Sequence, residues 1–360
     1  MKIAVIGGGI FGVTVAVRLA KSHSVDLFEK NSDILMAASD VNQCRVHRGY
    51  HYPRSDSTVK EVLDANESFT EEFSKAIINN VDNYYCISKH DSLVSAEQYI
   101  AFCKRNGLEY EIKELDVIDR NSVDLCVKVK ECLFDHSKLK KICWQKLLDS
   151  SVNIFLNRTA TEEIFDNYDF VVICTYADNG KFLKKFPQFQ REYQFEVCEK
   201  VFVKLPPSFD NKSVLIMDGP FMGIDPIGDT GMFIIGDVAH TVLQRNLGKY
   251  PEIDSKYIPL LDKGIIANPP ISNFNLFIES GVRFMPEMKK AKYIGSSFCI
   301  KTTLAHVDKT DERPTLINRI SDKIVTVFSG KIPTCVEAAK ELEEITQEIE
   351  RKNHRRVVET

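Results

Sequence analysis

Apolar residues follow three rhythms along this chain, and each predicts a different kind of element. Near the N-terminus Ile3-Ala4-Val5-Ile6 is a continuous apolar run that stops at glycines, followed by an apolar helical run and then Val25-Asp26-Leu27-Phe28. The order is strand, turn, helix, strand, and strands apolar throughout belong to a parallel sheet buried on both faces. A helical period governs 58–78, where Val59, Leu63, Phe69, Phe73 and Ile77 share one side and Thr58-x-x-Glu61 reads as a capping box. Leu139, Ile142, Cys143 and Leu147 predict a second helix over 137–148, leading into a strand near 153–156, and Tyr168 to Cys174 predicts another interior strand. From Phe195 the period shortens to two, through Val197, Val201 and Val203, with short strands over 214–217 and 232–235. That alternation predicts a mostly antiparallel sheet with one face covered. At the end Ile324 to Phe328 is again a buried-type strand, followed by Ser329-Gly330-Lys331 and a helix from Cys335. The expected class is therefore α/β plus α+β, in two domains. One is discontinuous, over 1–80, 132–185 and 320–360; the other is the β-sheet domain of 81–131 and 186–319.

Chemistry enters at the first turn. Gly7-x-Gly9-x-x-Gly12 lies between the first strand and the first helix, and Glu29 ends the second strand. In such a motif the first glycine permits the tight turn, the second lets backbone approach a pyrophosphate, and the third lets helix and strand pack closely. The helix N-terminus favours the anion. An acid about 20 residues on hydrogen-bonds an adenosine ribose hydroxyl, and Glu29 stands at that place. A Rossmann-like dinucleotide site is expected, and Glu29 disfavours a 2′-phosphorylated cofactor. The motif does not separate NAD from FAD.

Composition narrows the partners. With 47 Lys and Arg against 51 Asp and Glu over 360 residues, the net charge of -4 suggests no nucleic acid. No apolar stretch approaches the ~20 residues of a membrane span, and a strand beginning at Lys2 leaves no room for a signal peptide. Ten cysteines without a C-x-x-C spacing support neither a metal site nor a redox pair, so a reducing cytoplasm is the expected location.

Three separated stretches resemble the D-amino-acid oxidase superfamily of flavoproteins, with its glycine oxidase-like and L-2-hydroxyglutarate dehydrogenase-like members. The first is Gly7 to Lys30. The second is Ala38-Ser39-Asp40-Val41-Asn42-Gln43-Cys44-Arg45-Val46-His47-Arg48-Gly49-Tyr50-His51-Tyr52-Pro53-Arg54-Ser55, similar to the segment that passes the flavin ring in that family. The third is the C-terminal strand with Gly330-Lys331. The resemblance implies a Rossmann-like domain holding non-covalent FAD through Gly7, Gly9, Ile10, Phe11, Gly12, Glu29, Lys30, Ser39, Asn42, Arg45, His47, Gly330, Lys331 and Ile332. This chain departs from the family at the return segment, where Ser329-Gly330-Lys331-Ile332-Pro333-Thr334 offers a single glycine.

The implied reaction is hydride transfer from a carbon bearing an amine or hydroxyl to flavin N5. His47 and His51 are the candidate catalytic groups, since imidazole titrates near neutrality. Arg45, Tyr50, His240, Arg283 and Arg313 are candidates for the substrate side, and an arginine there would clamp an anionic group. His240, at a predicted strand end, also reads as a buried and satisfied histidine. A small-molecule substrate is the expected partner. Three other readings stay open: an NAD-dependent dehydrogenase, a flavin-dependent sugar or nucleotide-sugar enzyme of oxidase or mutase type, and a flavoprotein that binds a partner without catalysis.

Overall fold

The computed structural model describes residues 1–307 and 312–358. The predicted parallel sheet has six strands in the order Leu316–Arg319, Ile324–Phe328, Phe170–Ile173, Lys2–Ile6, Ser24–Phe28, Asn153–Phe155. All neighbouring pairs are parallel except the first, Leu316–Arg319 on Ile324–Phe328. Lys2–Ile6 sits near the centre, and the chain leaves it toward Ser24–Phe28 on one side and returns to Phe170–Ile173 on the other. Strand order therefore reverses there, and the crevice outside the strands' carboxyl ends is where an open α/β sheet binds its ligand. Helices Ile10–Leu19 and Cys335–Val358 cover one face, burying Val13, Ala16, Ala339 and Leu342 with Ile3, Val5 and Val325.

The second sheet has nine strands, with Tyr193–Lys204 as its spine. Lys292–Leu304 runs antiparallel along its full length, while Val242–Gly248 and Phe233–Asp237 share the opposite edge. One internal pair, Lys212–Met217 with Asp82–Ser88, is parallel, so the sheet is mixed. Alternation predicted one covered face, yet Tyr193–Lys204 is buried at almost every position. The reason is that both faces are used. Val201 and Val203 pack with Phe277 of helix Phe274–Val282 and with Ile224 and Ile235, whereas Glu196, Cys198 and Lys200 line a large internal cavity.

Local corrections are small. The helix expected over 58–78 spans Asp56–Glu72, and its cap is Ser55, whose hydroxyl accepts from the Thr58 amide. Thr58-x-x-Glu61 is therefore not a capping box. Glu61 instead accepts from the Thr315 amide and pairs with Lys331. The remaining predicted elements form within a few residues of their expected ends, at His136–Leu148, Asn153–Phe155, Phe170–Ile173, Lys212–Met217 and Phe233–Asp237.

Candidate active site

The glycine turn forms as its three residues require. Gly7 has φ +105, and a Cβ there would lie 2.6 Å from the carbonyl oxygen of Cys174. A Cβ on Gly12 would sit 1.8 Å from the carbonyl oxygen of Gly7, so only glycine lets helix Ile10–Leu19 approach the strand. Gly9 is the extended residue preceding the helix, and the next amide, that of Ile10, donates to Ser39 Oγ at 3.0 Å. Glu29, 8% exposed, accepts from the amides of Gly8 at 2.6 Å and Asn31 at 2.8 Å. Around it Lys30 pairs with Asp178 at 3.1 Å, and burial pushes the Asp262 carboxyl above its usual range. This acid-rich end suits a ribose and repels a 2′-phosphate.

From that turn a cavity of about 1610 Å³ extends past Ser39, Asn42 and His47 to the face of the nine-stranded sheet. Ordinary small-molecule pockets hold ~300–1,000 Å³, so this one has room for a dinucleotide and a second ligand. The residues fit the group that the motifs imply. The glycine cradle is backed by Ser39 Oγ, 3.2 Å from where a Gly9 Cβ would stand, and the buried Thr302 Oγ1 farther along the wall has no partner among the described residues. The cavity also takes in Phe11, Lys30, Gly330, Lys331 and Ile332. Lys331 is not a solvated lysine: it is 3% exposed and held 2.7 Å from Glu61. Burial keeps its pKa below the usual lysine range although Glu61 pulls the other way.

Arg45 and His47 flank one buried carboxylate. Arg45 Nη1 donates to Glu131 Oε1 at 3.0 Å, and Nη2 lies 2.8 Å from Asp225 Oδ1 and 2.5 Å from Ser213 Oγ. Tyr85 donates to the same Glu131 oxygen at 2.9 Å, and the Arg48 amide donates to the other at 3.1 Å. His47 Nδ1 stands 3.6 Å from Glu131 Oε1. Burial alone would raise the Glu131 pKa, but His47 and Arg45 outweigh it and hold the carboxyl down to about 2. The His47 ring stacks on His51 at 5.3 Å, with Tyr52 edge-on to both.

The substrate-side expectations separate cleanly. Arg45 lines the cavity with both terminal nitrogens on the buried acids and Ser213, while its Nε has no partner among the described residues. Tyr50 is 2% exposed, its hydroxyl donates to the Glu109 carbonyl, and it packs in an apolar cluster away from the cavity wall. Arg283 is exposed at the end of helix Phe274–Val282, beside Phe284, and does not reach the cavity. His240 is half-buried in the turn after Phe233–Asp237, where its amide donates to Asp237 Oδ1, and it too lies off the wall. Arg313 does line the cavity, whereas Thr310 and Asp311 of its predicted stretch lie outside the described residues. Glu131, Asp225, Gln43 and Lys200 were missed. Gln43 lies in the polar stretch over 38–55, whereas Glu131 in a loop and Lys200 and Asp225 on separate strands carry no local signal.

Comparison with known proteins agrees with this geometry. Residues 2–138 match the family model DAO, described as FAD dependent oxidoreductase. The chain is 24% identical over 344 residues to the FAD-dependent monooxygenase FPY4 of Fusarium mangiferae, covering 92% of this chain and 88% of that protein. It is 23% identical over 386 residues to the FAD-dependent monooxygenase kojA of Aspergillus flavus, covering 98% and 87%. Among solved structures it resembles glycine oxidase from Geobacillus kaustophilus, with TM-score 0.71 at 12% identity over 97% of this chain and 94% of that one. It also resembles L-amino acid deaminase from Proteus vulgaris, with TM-score 0.68 at 14% identity over 94% and 91%. No helix among the described residues is long and apolar enough to cross a membrane. Over residues 2–138 the chain thus resembles the FAD-dependent oxidoreductase domain that the model describes, and FAD is the cofactor of this enzyme.

Proposed function

We propose that this enzyme oxidises a C–N or C–O bond of a small amino or hydroxy compound, with FAD held without a covalent link. In this reading 1–80, 132–185 and 320–360 form the cofactor half, and 81–131 with 186–319 form the substrate half. The observation that carries it is the cavity that runs unbroken from the glycine turn past His47 to the sheet. FAD, when bound, supplies the hydride acceptor.

The chain's own residues do the rest. Gly7, Gly9, Ile10 and Ser39 would hold the phosphates, and Glu29 the ribose. Glu131, facing His47 Nδ1, orients the imidazole and leaves Nε2 to take a substrate N–H or O–H proton. The stacked His51 and edge-on Tyr52 keep that ring in place. Residues of both sheets line the cavity, and a substrate seated between them would shed water, which would strengthen each charge beside it.

The test is a yellow preparation that releases FAD on denaturation, followed by anaerobic screening of amino acids, hydroxy acids and neutral sugars for flavin bleaching. Release of NAD, or bleaching by sugars alone, would overturn the reading. The name monooxygenase, borne by relatives that cover almost the whole chain, makes oxygen insertion the second reading. Label from ¹⁸O₂ appearing in the oxidised product would select it over simple dehydrogenation.

A further inference from the structure

The far end of the cavity has a bare floor. Gly223 and Gly236 are direct partners on the antiparallel strands Met222–Pro226 and Phe233–Asp237, so two facing positions lack side chains. Two nitrogens fill the space above them. Gln43 Nε2 lies 2.9 Å, and Lys200 Nζ 3.0 Å, from the point where a Cβ on Gly236 would stand. Any larger residue at 236 would displace both groups.

Lys200 is held in place by the sheet. It lies within Tyr193–Lys204, next to Val201, whose partner Ile235 adjoins Gly236 on one neighbour, and opposite Ser297 on the other. Its face of the strand, with Glu196 and Cys198, lines the cavity. The nearby acids already have cations. Glu196 is bound by Arg245 at 2.7 Å and Lys301 at 3.0 Å, while Asp225 is bound by Arg45 at 2.8 Å and also takes Ser213 and Gln43. Among the described residues Lys200 forms no ion pair. Lys200 is half-buried on the cavity wall, and a cation there without a counter-ion is better satisfied by a ligand that brings the missing charge. Burial holds the Lys200 pKa below the usual lysine range, and Lys301 acts in the same sense. Gln43 Nε2 spends one hydrogen on Asp225 at 3.1 Å and keeps its second.

We propose that Lys200 and Gln43, over the Gly223–Gly236 floor, form the subsite for an anionic group on the substrate, so that Lys200 decides between acids and their neutral analogues. This rests on the oxidoreductase reading of the same cavity. It assigns the role to a residue of the sheet's spine and to none of the three arginines that the sequence suggests.

The test is calorimetric titration of the purified holoenzyme with benzoate and with benzamide. The unmodified enzyme should bind benzoate at least tenfold more tightly than benzamide. Lys200→Met should remove that preference and leave benzamide affinity unchanged; Lys200→Arg should keep part of it. Should Lys200→Met not fold, Lys200→Gln carries the same expectation. Equal binding of the two probes by the unmodified enzyme, or full benzoate preference in the uncharged variants, overturns the subsite. FAD extraction from the same preparations separates the two ideas: protein without FAD defeats the oxidoreductase reading, while its benzoate preference still decides the role of Lys200.

Discussion

The two ends of the cavity are built by different means. At the adenosine end the working parts are backbone: positive φ at Gly7, the close approach that Gly12 permits, the Ile10 amide, and one carboxylate, Glu29, bonded to the Gly8 and Asn31 amides. At the sheet end the parts are side chains drawn from distant strands. Arg45 pairs with both Glu131 and Asp225, Ser213 bonds to Asp225, and Lys200 stands near Asp225 without an ion pair among the described residues. A backbone site is specified by a short spacing, because only a few residue types permit that path of the chain. A side-chain site is specified by the tertiary fold, because its members meet only when residues 86 and 182 positions apart in sequence come together.

The largest effect that bears on this contrast is expected at Arg45. Arg45→Met leaves Glu131 and Asp225 buried without their cation and should cost about 3–5 kcal/mol, read by chemical denaturation at pH 7. The pH dependence follows from Glu131. Its folded pKa of about 2 lies below the usual 4.5, so its stabilising share is fully present above pH 4.5 and is lost as the pH falls toward 2. That share is about 3 kcal/mol, and in Arg45→Met it should shrink, because the folded pKa rises toward 4.5 and the loss is complete at a higher pH. An unchanged denaturation midpoint in Arg45→Met would mean that the sheet end is not held together by charge.

The glycine end was legible from the sequence because its physics is local. Gly7, Gly12 and Glu29 are fixed by turn sterics and by a single βαβ unit, and the strands around them announce themselves as unbroken apolar runs. His47 was found through a polar segment similar to a known family, and the structure lines the cavity with it. The arginines part company beyond that point: Arg313 lines the cavity, while the other two are placed differently. Arg45 sits in the same segment, yet a guanidinium with two acids in reach is taken up internally, and Arg283 follows a helix whose apolar side faces away from the cavity. Lys200 was invisible because it reads as one polar residue in an alternating strand, and only cross-strand register sets it over Gly236.

An intermediate effect is expected from Glu29→Gln. The amide keeps the shape but loses the charge behind the 2.6 Å bond from Gly8, and hydrogen bonds to a charged group are worth about 1.5–3 kcal/mol. The FAD dissociation constant, read by flavin fluorescence quenching on the apoprotein, should rise about ten- to a hundredfold. The sheet end should not respond, so benzoate preference should persist once FAD is saturating. Loss of that preference together with FAD affinity would show that the two ends are coupled and the division between them wrong.

The smallest effect sharpens the comparison within the sheet half itself. Arg283 and Lys200 carry the same charge, but Arg283 is exposed against the Phe284 ring, whereas Lys200 lines the cavity with its ammonium over the glycine floor. A surface cation in water gains little from its neighbours, so Arg283→Ala should change stability by no more than about 0.5 kcal/mol. Its benzoate and benzamide affinities should match those of the unmodified enzyme. If Arg283→Ala weakened benzoate binding tenfold while Lys200→Met did not, charge in this half would be read from the helix end, and the register that sets Lys200 over Gly236 would have no part in recognition.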